Sequence, residues 1–215
     1  MAHGPLGSVL VWTSVHPGRG HAEQACVVWA PDAPPVAMIE ADIPIPGSRW
    51  EFRTHGLWVE QVCETPHQHW SFGLEAFALQ LDDPTELVRT GYGTRVPMGW
   101  ELDFYSSAPS RWLLTSADPV GRSGAYTQAG NLSGLLLDAD GEHPFEAAAQ
   151  RWHWWGTTPL TSAGVRTAPV STGDSIAELH LPLTQGPVVV ERGPSHLLIR
   201  TVDTVGRATE PSGRH

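Results

Sequence analysis

The amino-acid sequence predicts an all-β chain, an antiparallel barrel or closed sandwich with little helix. Three observations lead there. Gly (22) and Pro (19) fill 41 of 215 positions, well above their usual share of about 12%, and they interrupt the chain at intervals of roughly ten residues. The segments between these breaks are short and alternate in polarity, the period-2 pattern of a half-buried strand. Ten Trp, more than Phe (5) and Tyr (3) combined, form an apolar payload that demands a packed core and argues against disorder.

Taken in order, Ala25-Cys26-Val27-Val28-Trp29 stops at Pro31-Asp32-Ala33-Pro34-Pro35, and Val36-Ala37-Met38-Ile39-Glu40 stops at Pro44 and Pro46. Trp50–Arg53 and Leu57–Val62 follow, then Leu74–Leu81, in which Phe77, Leu79 and Leu81 share a face with Glu75. Further strands are expected at Glu101–Tyr105, Gly134–Asp138, Ile176–Leu181, Val188–Glu191 and His196–Arg200. Asp138-Ala139-Asp140-Gly141 has hairpin-turn chemistry, because Asp-Gly tolerates positive φ. Pro144–Arg151 has helical propensity and a proline near its start. It also alternates, with Phe145, Ala147, Ala149, Arg151, His153 and Trp155 on one side, and strand is the preferred reading. Thr157 to Ser175 reads as a long loop. One domain over residues 1–215 is expected, with a polar, frayed tail from about Gly206.

Charge and composition narrow the function. The chain carries 13 basic residues, all Arg, against 23 acidic ones, for a net charge of -10. An acidic chain without a basic run is a poor partner for nucleic acid or an anionic membrane surface. No apolar run reaches the ~18 residues of a membrane span. The absence of Lys removes Schiff-base catalysis. No phosphate loop, nucleophile elbow, dinucleotide fingerprint or Cys-x-x-Cys pair is present, so nucleotide cofactors and serine-hydrolase chemistry have no support. The N-terminal Met1–Ser8 lacks the basic and apolar regions of a signal peptide. The expectation is a cytoplasmic protein whose Cys26 and Cys63 are buried thiols, a single bridge or a reactive thiol being the alternatives.

Three constellations carry possible chemistry. In His67-Gln68-His69-Trp70, two His at i and i+2 on a strand share a face and, with Glu75, form a candidate metal set. A packed or loop role for these His is the preferred reading. Arg151-Trp152-His153-Trp154-Trp155-Gly156 is the densest feature: if extended, Arg151, His153 and Trp155 offer a cation, a titratable group and an aromatic wall on one face. The plain alternative is that these Trp fill a core. In Trp100-Glu101-Leu102-Asp103-Phe104-Tyr105, Glu101, Asp103 and Tyr105 share a face toward solvent or a polar cavity, and Tyr126 and Gln128 pair in the same way.

The order of these pieces resembles the carotenoid hydratase (hydroxyneurosporene synthase)-like proteins, a family of lipocalin-like (calycin-type) β-barrels. Its pattern runs Pro…Trp, Gly-x-Pro…Asp-x-Phe, Tyr-x-Gln-x-Gly…Gly, a hairpin Asp-Gly, then Arg-Asp-His-Ser-Trp-Gly. The corresponding pieces are Pro66…Trp70, Pro97…Asp103-Phe104, Tyr126-Thr127-Gln128-Ala129-Gly130…Gly134, Asp140-Gly141 and Arg151–Gly156, covering about residues 60 to 156. Trp152 stands where the family's hexapeptide has Asp, which removes an acid acting through that position. Members usually carry two barrels; one is expected here.

The resemblance implies a cofactor-free cyclase or isomerase (pericyclase-type) of secondary metabolism, acting on a small apolar polyene, isoprenoid or polyketide-like substrate. A shaped pocket and a few hydrogen bonds suffice for such a reaction. His153, Arg151, Tyr126, Asp103 and Glu101 are the candidate catalytic residues; Trp70, Trp100, Trp155, Phe104, Gln128, His69 and Glu75 are the candidate binding residues. No metal and no cofactor is expected, and a homodimer is left open. The alternatives are a hydratase or dehydratase of an isoprenoid alkene, a non-catalytic hydrophobic-ligand carrier, and a metal enzyme using His67, His69 and Glu75.

Overall fold

In the computed structural model of the chain, the described residues are 2–4, 7–30, 33–45, 47, 50–82, 93–114 and 124–155, with short strands at 165–166, 176–179, 188–192 and 197–201. They are almost wholly strand, and all pairings are antiparallel. The elements are β1 (Ala2–Gly4), β2 (Gly7–His16), β3 (His21–Trp29), β4 (Val36–Pro44), β5 (Glu51–Thr54), β6 (Leu57–Thr65), β7 (His69–Leu81) and β8 (Gly93–Ser106). After them come β9 (Arg111–Leu114), β10 (Gly124–Asp138), β11 (Gly141–Trp155), β12 (Val165–Arg166), β13 (Ile176–Leu179), β14 (Val188–Arg192) and β15 (Leu197–Thr201). Among the described residues, no helix is long and apolar enough to cross a membrane.

The main sheet runs in the order β4-β3-β2-β1-β11-β10-β8-β7-β6-β5, with β9 on β10. It is not closed. β4 also meets β7, but over only the pairs Val36↔Gln80 and Ala37↔Leu79. β12 to β15 pair among themselves in a separate four-stranded sheet.

Alternation sorts the side chains. Ala22 and Cys26 of β3, Leu74 of β7, Met98, Trp100, Leu102 and Phe104 of β8, Leu132 of β10, and Phe145 and Ala147 of β11 belong to the principal core. The opposite face of β2, β3, β4 and β7 carries a second buried cluster of Leu10, Ala25, Val27, Ala37 and Leu81, with Trp12, Trp29 and Trp152 against it. Strands β2 and β3 are therefore apolar on both faces, which explains the near-continuous hydrophobic run Ala25–Trp29.

The longest ladder joins β10 to β11 from Gly124↔Trp155 to Asp138↔Gly141 without a register shift. The expected Asp138–Gly141 turn closes it: Gly141 has φ 126°, and the Asp140 N–H donates to Asp138 Oδ1 at 2.8 Å. Gly134 (φ 150°) admits no side chain, because a Cβ there would lie 2.0 Å from the Glu101 carbonyl oxygen on β8. At Gly130 a Cβ would meet the Phe104 ring at 2.5 Å, so this glycine lets the ring lie flat on β10.

The predicted strands are present, most of them longer than expected, and Pro144–Arg151 is strand rather than helix. The strands β1, β2, β9 and β12 were not foreseen. The tail from Gly206 lies outside the described residues, as does most of Thr157 to Ser175. One expectation is corrected. Both cysteines are free, but only Cys26 is buried; Cys63 is exposed because β6 runs out toward the Pro66 turn. Burial pushes the Cys26 thiol up to about 12, against a smaller opposing effect of its hydrogen bond from Gln24. A thiolate-directed reagent should thus titrate one cysteine in the native chain and two after denaturation. Two fast-reacting native thiols would contradict this placement.

Candidate functional site

Strands β10 and β11 face each other in a register that pairs Tyr126 with His153 and Gln128 with Arg151. Every second residue looks to the same side, so Tyr126, Gln128, Arg151, His153 and Trp155 converge at one end of the core face. The Arg151 guanidinium is the hub. Its Nη1 donates to Tyr126 Oη at 2.9 Å and to Gln128 Oε1 at 3.1 Å, and its Nη2 lies 3.4 Å from His153 Nδ1. Tyr126 Oη is 3.2 Å from the same Nδ1. Because Arg only donates, the Tyr126 hydroxyl accepts from it and directs its own hydrogen toward Nδ1, which leaves the proton of the neutral imidazole on Nε2. Burial first, then the charges of Arg151 and His67, hold His153 below its ordinary range.

Aromatic rings enclose this cluster. The Arg151 guanidinium lies over the Trp70 ring at 4.0 Å and over the Tyr126 ring at 5.6 Å. The Trp70 contact is a cation–π pair worth about 0.5–2 kcal/mol. Trp155 sits 5.5 Å from His153 and 6.4 Å from Tyr126, and Trp112 of β9 lies 5.5 Å from Tyr126 and 6.0 Å from Trp155. The Trp70 indole N–H is buried and has no hydrogen-bond partner among the described residues. The Pro66–Gln68 turn packs over the same end. Its His67, in the left-handed region at φ 60°, sets its ring 5.0 Å from that of Tyr126 at a tilt of 49°, and Gln128 donates to the His67 carbonyl at 2.7 Å.

The other expected residues lie elsewhere. Glu101, Asp103 and Tyr105 do share a face, but it is the face of β8 opposite Trp100 and Phe104. There His69 Nε2 and Ser71 Oγ each lie 2.8 Å from Asp103 Oδ1, and His69 stacks on Tyr105 at 4.2 Å. Glu101 and Asp103 are thereby separated by the sheet from His153, with which they had been grouped. Glu75 lines a groove at the far end of the sheet with Trp58, Phe77 and Met98. Trp100 and Phe104, expected as pocket walls, are core residues at 1% and 2% exposure. Alternation gives the face a residue looks toward, but not whether that face is open or filled.

His67 and His69, separated by the turn, look in different directions: His67 toward Tyr126 and Ser110, His69 toward Asp103. With Glu75 in its groove, the three do not converge as metal ligands. Trp112 was missed by sequence reasoning; its only signal is the short apolar run Trp112-Leu113-Leu114. No protein-family model matches the chain, and no curated protein or solved structure shows significant similarity to it.

Proposed function

We propose that this chain is a cofactor-free cyclase or isomerase acting on a small apolar substrate, of polyene, isoprenoid or polyketide type, that carries one polar oxygen function. The observation that carries this reading is the hydrogen-bonded set Arg151–Tyr126–His153 walled by Trp70, Trp112 and Trp155. Arg151 and the Trp70 N–H would hold the substrate's oxygen, the indole faces would hold its apolar body, and the Tyr126–His153 pair would move a proton. A lipocalin-like barrel architecture belongs to the same proposal. Its support is the mostly sequential antiparallel order of the sheet and the β4–β7 contact.

Hydration of an alkene is the weaker reading. It needs a strong acid, and among the described residues no carboxylate hydrogen-bonds or ion-pairs with Tyr126, Arg151 or His153. The experiment is a mass balance. Purified protein is incubated with linear polyene and isoprenoid acids, and the products are read by mass spectrometry. A product isomeric with its substrate is the expected result. A product heavier or lighter by one water would replace the proposal with the hydratase reading. Saturable quenching of Trp fluorescence with no product after long incubation would make the chain a carrier.

A further inference from the structure

Away from that site, the turn between β2 and β3 gathers two imidazoles and a carboxylate. The residues Pro17–Gly20 form a tight four-residue connection, with Arg19 N–H and Gly20 N–H both donating to the His16 carbonyl and Gly20 at φ 74°. This turn sets His16 directly opposite His21 in the β2–β3 register. Glu23 follows His21 by two residues where β3 pairs with β2 in unbroken register, so its side chain projects to the same face, although the β3–β4 register shifts between Ala22 and Gln24. All three point together: Glu23 Oε1 lies 3.5 Å from His16 Nε2 and 3.7 Å from His21 Nε2, and the rings are 5.1 Å apart at their centroids. The side chains are 14%, 22% and 6% exposed for His16, His21 and Glu23. Among the described residues this is the one group of three or more metal-ligating side chains whose donor atoms converge, all within 4.8 Å of one another.

We infer that His16, His21 and Glu23 form a binding site for a divalent transition ion of the zinc class. The spacing supports it. A tetrahedral ion with bonds of about 2.0–2.1 Å separates its ligand atoms by about 3.3 Å, and the carboxylate–imidazole separations of 3.5 and 3.7 Å exceed that by only a few tenths of an ångström. The donor chemistry supports it as well. Neutral imidazole nitrogen with one carboxylate oxygen suits zinc, cobalt, nickel or copper, whereas calcium and magnesium take oxygen sets. A nearly buried carboxylate facing two imidazoles is costly to keep out of water, and a divalent cation between them compensates that cost. Ser14 Oγ, 2.9 Å from His16 Nε2, stands where it would be displaced by the ion or complete its coordination. Three protein ligands occupy the hairpin end and tie β2 to β3, so binding favours the folded chain by mass action.

The test uses the full-length chain stripped with chelator, titrated with zinc and separately with cobalt. The expected results are one ion per chain, a rise in melting temperature with zinc, and a visible cobalt absorption of tetrahedral type. His16→Gln, His21→Gln and Glu23→Gln should each lose stoichiometric binding at micromolar metal together with the temperature shift. The double change His67→Gln/His69→Gln should keep both. Stoichiometric binding that survives all three single changes, or its absence from the wild-type chain, overturns the inference. Should the variants fail to fold, histidine-ring NMR of the wild-type chain decides the matter. Zinc-dependent shifts confined to His16 and His21 support the site; shifts only at other histidines, or none, overturn it. The inference stands independently of the proposed isomerase site.

Discussion

Replacing His153 with Gln is expected to lower turnover by about 10²–10⁴-fold, the usual contribution of a positioned proton-transfer group, while changing ligand affinity little. Gln preserves much of the volume and can accept from Arg151 and Tyr126, but it cannot take up a proton. The pH profile makes the expectation sharper. His153 is held below its ordinary value by burial, then by Arg151 and His67, so its ring is neutral at pH 7. Wild-type turnover that uses this neutral ring persists as pH falls past ~6.5 and declines only as pH passes through the lowered folded-state value. Stability follows the same direction. The unfolded chain takes up the proton first, so the stability present above ~6.5 is lost as pH falls toward and through the folded value. Steady-state kinetics on both proteins checks the result. A His153→Gln variant with wild-type turnover and an unchanged acid limb would sink the assignment.

Trp100→Ala is expected to destabilise the fold by about 3–5 kcal/mol, the range for removing a large buried aromatic side chain. Whole domains are stable by only about 5–15 kcal/mol, so this single change brings the chain near unfolding. Trp100 is 1% exposed, and its strand pairs it with Leu74 on β7 and Leu136 on β10, in the middle of the principal core. The surrounding ladder cannot close on the cavity without breaking its own hydrogen bonds. Urea denaturation should show a lower midpoint with an unchanged slope. Trp112→Ala should cost markedly less, because Trp112 is 51% exposed. Equal losses at the two positions would mean that Trp100 is not the core residue its placement makes it.

Much of this architecture can be read from local pattern. Period-2 alternation placed Arg151, His153 and Trp155 on one face and paired Tyr126 with Gln128, and the structure joins those two sets across one hairpin. What alternation does not carry is which faces meet. Nothing in Glu101-Leu102-Asp103 says that β8 turns its carboxylates away from β11, or that Trp100 is packed rather than open. The His16–His21–Glu23 group was also hidden. Its residues come together only through the Pro17–Gly20 turn, and Gly7–His16 has the Val and Trp of a strand buried on both sides rather than a clean alternation. Trp112 escaped because its partners, Tyr126 and Trp155, are distant in sequence.

The unbroken β10–β11 ladder has a consequence for how this chain can change. The turn at Asp138–Gly141 and the Tyr126–His153 pair stand at opposite ends of the same two strands, separated by about 40 Å of extended backbone. A single-residue deletion in β11 between them, if absorbed by sliding the ladder, would rotate the site end of that strand by one pleat, presenting Trp152 where Arg151 now stands, and one in β10 would present Thr127 where Gln128 now stands. Substitutions along this hairpin act locally, but length changes act at a distance. The spacing from turn to site therefore acts as one measure, and an insertion in the turn itself is expected to leave the site register unchanged where one inside either strand is not.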